Sequence, residues 1–197
     1  ESEKRIQEDY LRILRYIRFF LAYSKKKHKP EIIKILKKNL IGISNLSKER
    51  LLDELKKIFN SKILLNLSND KLSLEIFNSI FPEFKYFNLF SKLNSQANKL
   101  IKEVDFIFLI SLLIVDDTDN SDYFLYKFNI SKVNKKRILF LKLFNNQKID
   151  KKTFSKKNLW KIFYYNGKKS LYDLLYYQIF KSKKSNKNIN DLLNFFR

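Results

Sequence analysis

The stretch RIQEDYLRILRYIRFF, residues 5–20, has the periodicity of an amphipathic helix. When it is drawn at 100° per residue, one side is apolar and consists of Ile13, Leu14, Ile17, Phe20 and Leu21. The opposite side consists of Asp9, Arg12, Arg15 and Tyr16. The pattern predicts one helix over residues 7–26, beginning near the adjacent acids Glu8 and Asp9, with its apolar side in a core.

Helical signals continue along the chain. Pro30 suits the first turn of a helix over 30–42 with Gly42 as its stop, and Ser47 suits the cap of a helix over 47–59. The run FIFLISLLIV, residues 106–115, is shorter than the roughly 20 residues that a membrane span needs, so it predicts a buried helix. Further helices are predicted at 69–80, 83–94, 99–115, 121–128, 131–145, 155–165, 170–182 and 189–196. Asn166-Gly167 is predicted to end one of these helices, and Ser170 with Asp173 to begin the next. No strand alternation is evident, and the prediction is an all-α protein without a membrane segment.

Composition excludes several kinds of site. The absence of cysteine rules out disulfides, thiolate nucleophiles and Cys-type zinc sites. His28 is the single histidine, which excludes a His-rich metal site. It is predicted to be an exposed loop residue rather than a member of a Ser-His-Asp triad. Methionine is absent even at position 1, which indicates a piece of a longer or processed protein.

The net charge of +21 is concentrated near the carboxyl end. Residues 131–197 carry 18 Lys/Arg against 3 Asp, whereas residues 1–130 carry 23 against 17 Asp/Glu. Such an excess favours a nucleic acid as partner. An AT-rich genome also enriches lysine, but it does not explain this concentration. The change near residue 130 predicts a domain boundary, and the absence of a signal segment predicts a cytoplasmic protein.

Asp9 and Arg12 lie one helical turn apart and form a chemically matched pair. Acids near a helix start commonly offset the helix dipole, and exposed arginines are ordinary. Together, however, a carboxylate acceptor and a guanidinium donor match the pairing edges of cytosine and adenine. Guanine and uracil present a carbonyl oxygen where the carboxylate needs a donor. The pair could therefore select C and A, with Arg15 and Arg18 holding phosphates.

Two ordered motifs carry a family resemblance. EDYLRILRYIRFF, residues 8–20, resembles the E-D-x-x-R-x-L-R-x-x-R-F signature of the bacterial tRNA nucleotidyltransferase/poly(A) polymerase family, the class II CCA-adding enzymes. LSKERLLDELKKIF, residues 46–59, is similar to the S-x-E-R-I-x-x-E-L segment of that family. Together the motifs cover roughly residues 3–60. Tyr10 and Tyr16 depart from the proline and small residue of many members.

The resemblance implies an order of head, neck, body and tail. It assigns the neck to residues 1–62, the helical body to 63–130 and a basic helical tail to 131–197. It implies that Asp9 and Arg12 form the amino-acid template for CTP and ATP, and that Arg15 and Arg18 contact the nucleotide. The supporting residues that it implies are Glu8, Ser47, Glu49, Arg50 and Glu54. Arg50 and Glu54 stand at i and i+4, a spacing that predicts a pair bracing the neck.

The catalytic head of the family has no counterpart in this sequence. No glycine-rich segment with paired aspartates is present, so no catalytic residue is assigned in this chain. Mg²⁺, with ATP and CTP as substrates, is expected on a covalently linked or associated head domain. The run IVDDTDN, with Asp116, Asp117 and Asp119, could form a metal pair, but a solvated loop after a helix is the favoured interpretation, and no metal site is assigned.

The basic third interleaves lysines with aromatic residues, as RNA-binding surfaces do. Most of these aromatics are expected in a core, while Lys168, Lys169, Lys183 and Lys184 are predicted to contact the tRNA backbone. The alternatives are a poly(A) polymerase of the same family, an enzyme adding only CC or only A, and a non-catalytic helical RNA-binding protein of ribosomal type.

Overall fold

A computed structural model describes residues 2–147 and 152–197 of the protein. All regular secondary structure in these two ranges is helical, which confirms the all-α prediction. A 3-10 helix occupies Leu40–Asn45. The α-helices are α1 (Ser2–Glu8), α2 (Leu11–Tyr23), α3 (Pro30–Lys38), α4 (Lys48–Ile58), α5 (Ser61–Asn69), α6 (Lys71–Ile80), α7 (Asn88–Ser91), α8 (Ser95–Leu100), α9 (Phe106–Ile114), α10 (Asn120–Lys127), α11 (Lys132–Asn145), α12 (Lys156–Lys181) and α13 (Lys187–Phe196).

The chain divides into two compact units. The first unit is Glu1–Ser91 with Tyr126–Asn129, and the second is Lys92–Leu125 with Ile130–Arg197. The neck, body and tail boundaries at residues 62 and 130 stay predictions, since the division into compact units does not test them. Within the predicted tail, residues 148–151 lie outside the described residues.

The apolar side of α2 forms part of the core of the first unit. Ile13, Leu14 and Ile17 are completely buried, and Leu21 is nearly so. They face α4 and α5, against which α2 packs. Since burying one such side chain stabilises a fold by about 1.5–3 kcal/mol, this side of α2 accounts for a large share of the stability of the unit. The apolar face read from the sequence is therefore confirmed for these residues.

The imidazole of His28 is buried rather than exposed, with 4% of the side chain accessible. It stacks on Phe20, with ring centroids 3.5 Å apart, and its Nδ1 lies 3.0 Å from the Tyr16 hydroxyl. Its Nε2 lies 2.8 Å from Asp70 Oδ2 and 3.1 Å from Ser73 Oγ. Burial, helped by the charge of Asp70, raises the pKa of Tyr16, which keeps its hydroxyl proton available. These contacts tie the loop before α3 to the start of α6.

The sequence predicted that Gly42 ends α3, and this prediction was wrong. Gly42 lies inside the 3-10 helix. Helix α3 ends at Lys38, where the backbone N–H of Asn39 bonds the Ile35 carbonyl. Gly42 is required for a different reason, because a Cβ at this position would overlap the ring of Tyr10. The close approach places the residue after Asp9 directly against the 3-10 helix.

We expect Gly42→Ala to lower the free energy of unfolding by about 1–3 kcal/mol, the usual effect of overpacking a filled site. Urea denaturation followed by circular dichroism measures this loss. In a Tyr10→Ala background the overlap is gone, so the same Gly42→Ala change should have almost no destabilising effect. Equal losses in both backgrounds would contradict the packing explanation.

One helix was missed, and two helix predictions were wrong in extent. Helix α5 was not predicted, although Asn60 caps it by accepting a hydrogen bond from the Lys62 backbone N–H. The predicted helix 83–94 is reduced to α7, and Tyr86 has a positive φ of 61°. The predicted helix 99–115 is divided between α8 and α9 because the Asp105 side chain accepts a hydrogen bond from Phe108 N and begins α9. Local side-chain bonds of this kind compete with continued helix.

Helix α9 forms a core element of the second unit, as its apolar run predicted. All of its residues from Ile107 to Ile114 are buried, and it packs against α11 and α12. A charged cluster lies beside this apolar core. Arg137 of α11, 5% exposed, donates two hydrogen bonds to Asp173 (2.6 and 2.9 Å) and two to Asp105 (2.8 and 3.0 Å). Asp173 was predicted to begin a helix, but it is a buried partner inside α12.

The helix α12 is interrupted at Gly167, whose φ of 83° and ψ of 165° are not helical. Only glycine adopts this region of φ and ψ readily. The sequence predicted a break at Asn166-Gly167, and the backbone there confirms it. The interruption separates an amino-terminal half with exposed residues from a carboxyl-terminal half that packs into the second unit.

Candidate functional site

Asp9 lies in the connection between α1 and α2 rather than within one helix. Glu8 ends α1, and the Asp9 carboxylate oxygen Oδ1 accepts a hydrogen bond from the backbone N–H of Leu11, at 3.2 Å, where α2 begins. Acidic side chains commonly take such orphan N–H groups at a helix start. The predicted single helix over 7–26 is therefore wrong, because this bond starts a new helix after Asp9.

Two arginines hold the Asp9 carboxylate. Arg50 donates from Nη2 to Oδ1 at 2.9 Å, and Arg15 donates from Nη1 to Oδ2 at 3.4 Å. Arg50 lies in the first turn of α4, where its backbone N–H bonds the Ser47 hydroxyl as the predicted cap. The carboxylate is 20% exposed, so its charge is partly withdrawn from water and its direction is restricted.

A second ion pair joins the same two helices. Arg18 of α2 donates from Nε to Glu54 of α4, whose carboxylate is 1% exposed. Lys57 lies 3.4 Å from the other oxygen of Glu54. The predicted pairing of Arg50 with Glu54 is not formed, because Arg50 bonds Asp9, just before α2, and Glu54 bonds Arg18 within α2. A buried carboxylate needs a charged partner, and α2 supplies it.

Arg12 lies in the first turn of α2, just after Asp9. Its backbone N–H bonds the Asp9 carbonyl at 3.0 Å, so the two residues are one turn apart as predicted. The Arg12 side chain is exposed and forms no ion pair within the described part of the chain. Glu8 and Glu49, predicted as supporting acids, are also exposed and do not join the Asp9 cluster.

Among the residues that the structure describes, none fills one of the acceptor positions of Asp9. A carboxylate oxygen has about two lone-pair positions. Both positions of Oδ1 are used, by Leu11 N and Arg50, whereas Oδ2 receives one long contact from Arg15. The site therefore offers an oriented acceptor oxygen, and the exposed residue Arg12 follows it by one helical turn. A carboxylate acceptor and a guanidinium donor are the groups that a base with an amino group and a ring nitrogen can pair with.

Part of the chain is similar to CCA tRNA nucleotidyltransferases. The proteins named CCA tRNA nucleotidyltransferase 1, mitochondrial, from Danio rerio and Homo sapiens are each 48% identical to it, over 56 and 59 residues respectively, which is 27% and 29% of this chain. The protein of the same name from Mus musculus is 44% identical over 59 residues, 29% of this chain. No protein-family model matches the chain.

The chain spans a small part of these relatives. The match corresponds to 13% of the length of the zebrafish protein and 14% of the other two. All three relatives are vertebrate proteins named as mitochondrial, so membership of the bacterial class and a cytoplasmic location stay predictions for this chain. None of the helices in the described ranges has the length and apolar content of a membrane span.

The four lysines predicted to contact RNA belong to the second unit. Lys168 and Lys169 directly follow the break at Gly167, and both are exposed. Lys183 and Lys184 line a shallow polar depression of about 600 Å³ between α12 and α13. The only ion pair that these four side chains form with described residues is a 3.8 Å contact of Lys169 with Asp105. Their charges remain largely available to solvent.

The acidic run after α9 caps a turn. Asp116 accepts hydrogen bonds from the backbone and hydroxyl of Thr118, at 2.9 and 2.6 Å, and from the Asn120 amide at 2.7 Å. Asp117 bonds the Asn145 amide at 3.1 Å. Across residues 2–147 and 152–197, no group of three or more His, Asp or Glu side chains is arranged to hold a metal ion.

Proposed function

We propose that this chain is the nucleotide-selecting and tRNA-binding part of a CCA-adding tRNA nucleotidyltransferase. The observation that carries the proposal is the Asp9 carboxylate, held by Arg50 and Arg15 one turn from the exposed guanidinium of Arg12. The two sequence motifs and the similarity of part of the chain to CCA tRNA nucleotidyltransferases support it.

Selection follows from the open position on Asp9. The amino group of cytosine or adenine donates to Oδ2, while Arg12 donates to the adjacent ring nitrogen. Uracil and guanine place a carbonyl oxygen against the carboxylate, so two acceptor oxygens face each other with no hydrogen to share. A good bidentate pair discriminates by about 1–3 kcal/mol. Arg15 and Arg18 would then lie beside the phosphates, although Arg18 also holds Glu54.

A head domain completes the proposed enzyme. It would be covalently linked to this chain or associated with it, and would carry Mg²⁺ on its own carboxylates. CTP and ATP are the proposed substrates and tRNA the proposed acceptor. The residues of this chain orient the incoming base and hold the RNA, and they transfer no group themselves.

Nucleotide addition by the complete protein tests the proposal. A tRNA transcript without its 3′ CCA is incubated with each nucleoside triphosphate alone and with all four. Addition of C, C and A followed by a stop is the expected result. A long adenylate tail would indicate the poly(A) polymerase, and addition of CC alone or A alone would indicate a partial enzyme. Tight tRNA binding without any addition would overturn the enzyme and leave an RNA-binding protein.

A variant in which all four of these lysines are changed to glutamine should lose tRNA affinity, and the loss should be largest at low salt. The four are Lys168, Lys169, Lys183 and Lys184. Each phosphate contact contributes about 0.7–0.9 to the slope of log K against log salt. The slope should therefore fall by roughly 3 if all four contact phosphates. Fluorescence anisotropy of labelled tRNA across a salt series measures it. Replacing the exposed Lys25, Lys26 and Lys27 of the first unit is the control, and an equal drop there would contradict a specific role for the four.

A further inference from the structure

The amino-terminal half of α12 keeps its aromatic side chains in solvent. Tyr164 and Tyr165 are 81% and 77% exposed, and Trp160 is 50% exposed. Phe195 of α13, 51% exposed, lies beside Trp160 with ring centroids 6.4 Å apart. After Gly167 the aromatic residues of α12 are buried or half-buried. The expectation that these aromatics serve the core therefore holds for one half of the helix and fails for the other.

The exposed rings form two contacting pairs rather than isolated side chains. Trp160 and Tyr164 are four residues apart, so they lie on the same side of α12. Tyr165 meets Tyr164 at 87°, with centroids 5.1 Å apart. Phe195 meets Trp160 at 82°. The rings thus present faces in several directions, which suits separate flat ligands better than one flat partner surface.

Lysines are frequent in the sequence around the α12 rings. Residues 152–172 contain six lysines and no Asp or Glu. The Lys156 ammonium lies 4.1 Å from the centroid of Phe195. Lys157 and Lys161 line a cavity of about 370 Å³ on the same half of α12. Aromatic faces interspersed with unopposed lysines fit a ligand that combines flat rings with regularly spaced negative charges.

We propose that the exposed rings and neighbouring lysines bind an unpaired segment of RNA. We call this set the stacking surface, and it consists of Trp160, Tyr164, Tyr165, Phe195, Lys156 and Lys161. The bases stack on the exposed rings while the lysines contact the phosphates. In a duplex the base faces are covered by neighbouring pairs, so these rings would have nothing to stack on. The inference rests on the proposed function only in one respect, namely that the RNA bound in the cell is the proposed tRNA.

Fluorescence provides a direct test because Trp160 is the single tryptophan of the chain. The full chain is titrated with single-stranded oligouridylate, with the same strand paired to oligoadenylate, with inorganic polyphosphate and with phosphatidylserine vesicles. We expect oligouridylate to quench Trp160 and to bind more tightly than the duplex. Polyphosphate should bind without comparable quenching, because it brings charge but no ring.

A double variant, Tyr164→Ala/Tyr165→Ala, separates stacking from charge. Both side chains are largely exposed, so the fold should tolerate their loss. Loss of stacking should weaken oligouridylate binding by about tenfold or more while polyphosphate binding stays unchanged. Tyr123→Ala/Tyr126→Ala, which removes two exposed tyrosines of α10, is the matched control and should leave both affinities as they were.

Several results would overturn the stacking surface. Unchanged oligouridylate affinity in the Tyr164/Tyr165 variant would do so. Equal quenching of Trp160 by polyphosphate would also do so. Tighter binding to vesicles than to RNA would mean that the surface binds a membrane instead. The test is independent of nucleotide addition. Failure of CCA addition with single-strand binding intact removes the proposed function alone, whereas normal addition with an unaffected tyrosine variant removes the stacking surface alone.

Discussion

Replacing Asp9 with alanine in the complete protein should abolish the preference for CTP and ATP over UTP and GTP. The carboxylate is the proposed acceptor for the base amino group, and its removal eliminates both the pairing with C and A and the repulsion of U and G. At about 1–3 kcal/mol for a bidentate pair, the selectivity ratio should fall roughly 5- to 150-fold. Single-nucleotide incorporation on a tRNA lacking CCA, compared across the four triphosphates, measures the ratio.

Asp53→Ala is the matched control for Asp9→Ala. Asp53 is an exposed acid of α4 in the same unit, and the only ion pair that it forms with a described residue is with Lys56 at 3.1 Å. Its removal should leave the selectivity unchanged. Arg50→Ala should reduce selectivity by less than Asp9→Ala, because Arg15 still contacts the carboxylate. Normal discrimination in Asp9→Ala, with addition intact, would refute the template.

Arg137→Met should cost about 3–5 kcal/mol of unfolding free energy, the usual effect of removing one partner of a buried ion pair. Asp173 is 6% exposed in its side chain and would keep a charge without its two hydrogen bonds from Arg137. The Asp105 carboxylate is 43% exposed, so water can replace its lost hydrogen bonds and it contributes less to the loss of stability. Urea denaturation of the variant and of the parent chain gives the difference. Lys136→Met, at the exposed neighbouring position, should change the stability by less than about 0.5 kcal/mol.

The deficit of Arg137→Met should shrink as the pH falls. Burial already raises the pKa of Asp173 in the native protein, against the hydrogen bonds and charge of Arg137. Without the guanidinium only the charge of Lys169 opposes this rise, so the folded-state pKa of Asp173 lies further above the unfolded value. Such a group destabilises the fold once it ionises, and protonation at acidic pH removes the penalty. A deficit that grew on acidification would contradict this account. Asp173→Asn added to Arg137→Met should recover part of the lost stability.

The periodic features of the fold were predictable from the sequence. The apolar side of α2, the Ser47 cap of α4, the buried α9 and the break at Gly167 all depend on residues within a few positions of one another. Local patterns carry this information directly. The position where α2 begins, and the separate helix α1 before it, were missed, because one side-chain bond from Asp9 outweighs the periodicity around it.

The candidate site was only partly predictable, because its ion pairs join residues that are far apart in the sequence. The sequence indicated Asp9, Arg50 and Glu54, but it placed Arg50 and Glu54 together because they are four residues apart. In the structure Arg50 reaches Asp9, 41 residues away, and Glu54 reaches Arg18, 36 residues away. A helical wheel contains no information about partners on another helix. The burial of His28, which depends on Asp70 and Ser73, was missed in the same way.

The division into two units has a practical consequence for folding studies. The single histidine of the chain, His28, lies in the first unit, and the single tryptophan, Trp160, lies in the second. The imidazole proton resonances therefore report the unfolding of one unit, while the indole emission reports that of the other, without any introduced label. Denaturation curves that coincide would mean that the units unfold as one cooperative system, and curves that separate would give each unit its own stability.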